Sequence, residues 1–263
     1  MRRILPIALL LFVVVGCHKK LMNPPPTASQ GEGRFLSIPF SRGTEYRVLQ
    51  GWIYSAREQA IYHAQDHMAI DFATRRGTPV LAAADGLALA TYQCEPGGTY
   101  KGKRVGKGLG LFVQVWHPER QVFTMYGHLS AVAKEIPYYK PEIHGEYYEP
   151  VIVYRPGDQI SSVQTKTVRR GEVIGSVGDT GCYWGYKETP GQRPDPQKYP
   201  SLDGPNLHYQ VYKRGSSGKI DSWYDPFGIY GKAVEYQNPT LPDTSLWLLG
   251  REGLPLLADE PAP

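Results

Sequence analysis

The chain has 263 residues, a formal net charge of +4, 41% hydrophobic and 21% charged residues. That is enough to bury one sizeable core, and the charge is too small and too dispersed for a nucleic-acid protein. Positive charge clusters only at residues 101–107, KGKRVGK, where interspersed glycines favour a solvated loop over a binding patch.

The N-terminus begins Met1-Arg2-Arg3, followed by an apolar run over residues 4–15. The run is too short to span a bilayer as a helix and has the length of a signal-peptide core. It ends in Val14-Val15-Gly16-Cys17, which resembles the lipobox of bacterial lipoproteins. The resemblance implies a signal peptide over 1–16, cleavage before Cys17, lipid on Cys17 and anchoring to a membrane surface in the cell envelope. An ordinary secretory signal with an incidental cysteine is the alternative. His18 stands where an Asp would hold a lipoprotein at the inner membrane, which favours the outer membrane in a two-membrane envelope. Residues 17–35 then form a tether rich in proline, serine and glycine.

Beyond the tether, short segments rich in Val, Ile, Leu and Tyr alternate with Gly and Pro. Strands are expected over 79–84, 109–116, 122–126, 151–154, 172–177 and 207–212, each bounded by turn residues. This rhythm predicts an all-β, antiparallel sheet or sandwich. Residues 133–148 and 182–202, dense in Tyr, Pro and charge, are expected to be long loop insertions. Residues 241–263 read as a C-terminal tail, weak in structure-forming signals from about 254 onward. With Cys17 assigned to lipid, Cys94 and Cys182 remain, open to a disulfide or to two separate thiols.

Seven histidines are present, and three stand in informative surroundings: His67, His128 and His208. In HMAIDFA an extended chain puts His67, Ala69 and Asp71 on one face, and Met68, Ile70 and Phe72 toward the core. Imidazole and carboxylate across a small alanine suit zinc, although polar alternation on a half-exposed strand gives the same pattern. His63 and His67 are four apart, as in the helical zinc-protease motif, but that motif needs Glu where Ala64 stands. His208 offers a third ligand, and three protein ligands plus an open position mark a catalytic zinc site. Such a metal lowers the pKa of bound water to about 7 and polarises a scissile carbonyl. His128, in TMYGHLS, follows a strand and a glycine, which lets its ring project over the same site. There it would act as general base or as oxyanion stabiliser.

The ordered series H-x-x-x-D (67–71), YGHLS (126–130), GEVIGSVGDTG (171–181) and GPNLHYQV (204–211) resembles the lysostaphin-type, or LytM-domain, zinc endopeptidases. Residues 77–86 and 108–113 add matching context, and the resemblance covers roughly residues 61–212. It implies an antiparallel β fold (the duplicated hybrid motif) over 36–240 with an open groove. It also implies one zinc on His67, Asp71 and His208, His128 as a catalytic histidine, and peptides of bacterial peptidoglycan as substrate. The family's strand reads H-x-H, and this chain has Asn206 in place of the first His. An amide donates a hydrogen bond but takes no proton at neutral pH, and one oxyanion donor is worth about 3 kcal/mol. Three readings follow: an active or slowed peptidase; a silent relative that binds peptidoglycan or regulates another wall hydrolase; and an unrelated β-rich binding lipoprotein.

Overall fold

The computed structural model describes residues 33–56, 59, 64–95, 99–100, 103–104, 107–138, 142–144, 147–149, 164–180, 204–215 and 220–262. Among these, the strands in chain order are β1 (Arg47–Gln50), β2 (Ile70–Ala73), β3 (Pro79–Leu81), β4 (Gly86–Glu95), β5 (Thr99–Tyr100), β6 (Lys103–Arg104), β7 (Lys107–His117), β8 (Val122–Gly127) and β9 (Leu129–Val132). They continue with β10 (Glu142–His144), β11 (Tyr147–Glu149), β12 (Lys166–Val168), β13 (Val173–Val177), β14 (Asn206–Arg214) and β15 (Ile220–Tyr224). The main sheet runs β1-β2-β14-β8-β7-β4-β12, a smaller one runs β3-β13-β9, and two hairpins pair β5 with β6 and β10 with β11. Every pairing between these strands is antiparallel, so the all-β antiparallel class stands.

The centre of the main sheet is covered on both faces, which is why β7 reads as a near-continuous apolar run rather than as strict alternation. Val113 and Val115 point into a large core shared with Val80, Ile174, Val177 and Leu129 of the smaller sheet. Phe112 and Trp116 point the other way, into a second cluster with Leu89, Phe123, Met125 and Tyr212. Phe123 and Tyr212, paired across β8 and β14, stack with ring centroids 5.2 Å apart.

β14 organises the molecule. Its first half pairs with β2 and its second half with β15, while β8 lies along its other edge. One register row therefore reads Asp71, His208, Gly127 across β2, β14 and β8. The segment before β2 departs from the extended chain expected there. Met68 adopts φ +55 and is half-buried rather than in the core, and the strand starts only at Ile70. A left-handed residue reverses the local chain direction, so His67 reaches the site from a kink and not from the pleat that carries Asp71.

Other expectations also shift. The strand at 79–84 stops at Leu81, and 151–154 lies outside the described residues. The stretch 133–148 is not a plain loop, because the backbones of Glu142–His144 and Tyr147–Glu149 pair antiparallel as the β10–β11 hairpin. The long β4 was not anticipated, since its alternating small alanines carry little strand signal. The tail does not trail off. Leu36 bridges to Trp247 and Ile38 to Leu257, and Trp247, fully buried, stacks on Tyr209 at 5.6 Å. Leu246, Leu256 and Ala258 are buried beside it. Burial of each large side chain contributes on the order of 2 kcal/mol, so this segment belongs to the domain core. Its residues form isolated bridges rather than periodic strands, which hid it from a reading by period.

Candidate metal centre and active site

His208 occupies the middle of the row. Its Nδ1 lies 2.7 Å from Asp71 Oδ1, and His67 Nε2 lies 3.2 Å from His208 Nδ1 and 3.3 Å from Asp71 Oδ2. All three side chains are buried, and one donor atom from each falls within 4.8 Å of the others, a grouping that could hold a metal ion. The two rings stand nearly perpendicular, at 76°.

His67 is fixed from both ends. Its backbone N–H donates to the Trp52 carbonyl at 2.7 Å, and its ring Nδ1 lies 3.0 Å from the Gly51 carbonyl. A carbonyl only accepts, so the ring proton sits on Nδ1 and Nε2 turns a lone pair toward Asp71 and His208. Burial pushes His67 down to about 4, with Asp71 pulling the other way. Burial likewise lowers His208 to about 3. Both rings are neutral near pH 7, the form in which imidazole binds a metal.

The donor set fits a small, borderline-soft cation. Tetrahedral coordination with bonds of about 2.0 to 2.1 Å separates ligand atoms by about 3.3 Å. The separation of the two imidazole nitrogens, 3.2 Å, and that of His67 Nε2 from Asp71 Oδ2, 3.3 Å, match that edge, while the other carboxylate oxygen, Oδ1, lies at hydrogen-bond length from His208. Two nitrogens and a carboxylate oxygen suit zinc better than calcium or magnesium, which favour all-oxygen sites.

His128 follows Gly127 at the end of β8 and itself takes φ +60. This conformation, uncommon for a residue with a side chain, swings the ring to 5.4 Å from that of His208. Its N–H donates to the Leu109 carbonyl, and Nδ1 donates to the Thr180 carbonyl, both at 2.7 Å. With Nδ1 so occupied, Nε2 is the basic atom. Burial first, and the neighbouring His208 second, lower His128 to about 4. Thr180 is held in turn: its Oγ1 accepts from Leu111 N–H at 3.0 Å and donates to the Leu129 carbonyl at 2.9 Å. Gly110 permits this approach, because a Cβ there would meet Thr180 at 2.5 Å.

Asn206 is buried, two residues from His208 along β14 and opposite Ala73. Its side-chain amide donates to the Gly204 carbonyl at 2.8 Å, and its backbone N–H to Gly178. Cys17 and Cys182 lie outside the described residues, and with them the lipid anchor and the disulfide question. Reading the sequence alone missed the groups that orient the histidines, namely the Gly51 and Thr180 carbonyls. It also missed Tyr54, whose ring lies 4.9 Å from that of His67. Only the GDTG motif (178–181) carried any signal for them.

No family model matches the chain. It is 28% identical over 149 residues to the DD-carboxypeptidase/endopeptidase Mpg of Neisseria meningitidis, covering 57% of this chain and 20% of that protein. The Neisseria gonorrhoeae protein of the same name matches equally. The chain resembles the lysostaphin-type peptidases. It spans about a fifth of the length of the curated relatives it matches. Among solved structures, lysostaphin from Staphylococcus simulans is 20% identical with a TM-score of 0.37, covering 79% of this chain and 60% of that one. A zinc containing peptidase from Vibrio cholerae is 17% identical with a TM-score of 0.38, covering 80% of this chain and 41% of that one.

Proposed function

We propose that the chain is a lysostaphin-type zinc endopeptidase that hydrolyses peptide bonds in the stem or cross-bridge peptides of bacterial peptidoglycan. On this reading it is tethered to the envelope by lipid on Cys17. The convergence of His67, Asp71 and His208, drawn from positions up to 141 residues apart, carries the proposal. The ordered motifs and the match to the Neisseria relatives support the substrate class.

His67 Nε2, Asp71 and His208 Nδ1 would hold the ion. Zinc, when bound, supplies a Lewis acid that acidifies water and polarises a carbonyl. Two neutral imidazoles and one carboxylate leave the bound site with net positive charge, which favours an approaching carbonyl oxygen. His128 Nε2, its tautomer set by Thr180, takes the proton released as the nucleophile forms and returns it to the leaving amine. Asn206 Nδ2 carries two N–H groups and gives one to the Gly204 carbonyl, so donation to the developing oxyanion would come from the other.

An amide at position 206, which cannot take a proton at neutral pH, favours a second reading, in which the chain binds peptidoglycan or regulates another wall hydrolase without cutting. Zinc-loaded protein incubated with purified sacculi, followed by mass spectrometry of released fragments, separates the two. Peptide-bond cleavage that disappears with a chelator supports the first reading. Sacculus binding without release, alongside release by the Asn206→His variant, supports the second. Absence of bound zinc in the purified chain overturns the first.

A further inference from the structure

Segment 51–54 stands between His67 and the chain that follows β15. On one side, Trp52 and Gly51 offer carbonyls to His67 N–H and Nδ1, and Tyr54 N–H donates to the Gln65 carbonyl at 3.0 Å. On the other side, Ile53 N–H donates to the Gly231 carbonyl at 3.0 Å. The Tyr236 ring, at the end of the short 3-10 turn Ala233–Tyr236, lies directly against Gly51. A Cβ on Gly51 would meet the ring at 2.5 Å and the Gly231 carbonyl at 2.7 Å, so the approach requires glycine.

The Tyr236 hydroxyl is a junction. It donates to Asp225 Oδ2 at 2.6 Å and accepts from Gly231 N–H at 3.1 Å and, more weakly, from Trp52 N–H at 3.4 Å. Asp225 is itself buried and gathers the N–H groups of Phe227, Ile229 and Tyr230. A charge-assisted hydrogen bond fixes the hydroxyl firmly, the hydroxyl and ring fix the Gly51–Trp52 backbone, and that backbone fixes the imidazole. Asp225 and Tyr236 both lie beyond residue 212, outside the stretch that carries the family motifs.

We infer that Tyr236, anchored by Asp225, is a positioning residue for the metal site: it holds the Gly51–Trp52 backbone at the height from which His67 presents Nε2. The inference rests on the zinc reading above and extends it to a part of the chain the motifs do not touch. Partners that orient a metal-bound histidine typically tune affinity by about 10- to 100-fold, and the brace acts on His67 through one intervening peptide.

The test is the zinc dissociation constant of the full-length chain, measured by competition with a chromophoric chelator at a temperature where each variant is folded. Tyr236→Phe removes only the hydroxyl and should weaken zinc by about 10-fold or more. Ser245→Ala is the control: it removes hydrogen bonds to Pro226 and Trp247 in the same C-terminal region, away from Gly51. It should lower the melting temperature and leave zinc affinity within about twofold, since no group on His67 depends on it. Where the phenylalanine variant does not fold, Asp225→Asn, which keeps an acceptor but loses the anchoring charge, takes its place with the same expectation. Unchanged zinc affinity in the Tyr236 or Asp225 variant overturns the inference, as does an equal loss in Ser245→Ala. A wild-type chain that binds no zinc overturns the metal reading itself, and is told apart from the first failure by that measurement alone.

Discussion

Replacing Asp71 by Asn keeps the shape of the side chain and removes its charge from between two imidazoles. Asp71 reaches His208 Nδ1 at 2.7 Å and His67 Nε2 at 3.3 Å. Without metal the amide oxygen still accepts from one ring, so the loss is about 1 kcal/mol, the difference between a charged and a neutral acceptor. With zinc the two chains diverge. Zinc at a hundred times its dissociation constant stabilises a folded chain by about 2.7 kcal/mol. For a domain of roughly 200 residues that raises the melting temperature by about 5 to 11 °C. Unit charges about 4 Å apart at an effective dielectric near 20 interact by about 4 kcal/mol; a carboxylate in direct contact with a divalent ion loses more than that on neutralisation, so affinity falls by at least about a thousandfold. At the same zinc concentration Asp71→Asn is then nearly empty and gains less than about 0.1 kcal/mol. Thermal melts of both chains, with chelator and with zinc, read this directly. A zinc-induced shift of equal size in the two chains would refute the assignment of Asp71 as a ligand.

His128→Ala should reduce peptide release from sacculi by about 10²- to 10⁴-fold while zinc content, read by atomic absorption, stays the same. Asn206→His restores a second base on the site-bearing strand and should raise the rate of release; an unchanged rate would show that position 206 does not limit turnover. Thr180→Val strands the Leu111 N–H and Leu129 carbonyl that its hydroxyl serves, and urea melts should register a loss of about 2 to 4 kcal/mol. His117, buried between the Asp85 carbonyl and Thr124, is pushed down to about 4 by burial. The unfolded chain therefore binds more protons below about pH 6.5, and this contribution, complete above that pH, is lost as pH falls toward 4, by about 3 kcal/mol in all. Urea melts across that range should be flatter for His117→Gln than for wild type.

The sheet was legible wherever apolar runs met turn residues. Residues 109–116, 122–126 and 207–212 all fall inside observed strands, because central strands buried on two faces need uninterrupted apolar character. The same criterion missed β4, whose buried Ala88 and Ala90 lie beside Val115 and Val113 of β7 and face the large core. It also missed the C-terminal segment, where Trp247 and Leu256 reach the core from irregular backbone. Periodicity reports repeated geometry, and a segment that touches the core at isolated bridges has none to report.

The side chains of the site were legible and their supports were not, for a physical reason. A ligand must be a particular residue type, so His67, Asp71 and His208 stand out from a sequence. A backbone carbonyl is present at every position, so nothing marks Gly51 or Thr180 as the acceptor that sets a tautomer. Even the spacing of His67 and Asp71 was explained by the wrong geometry. Strand parity gave the right pair, but Met68 at φ +55 breaks the strand between them. Asp71 then faces the site because it lies in register with His208, and His67 because the Gly51–Trp52 backbone holds it there. Two side chains four residues apart thus depend on separate supports, and damage to the Tyr236 brace should misplace His67 while leaving the Asp71–His208 pair intact.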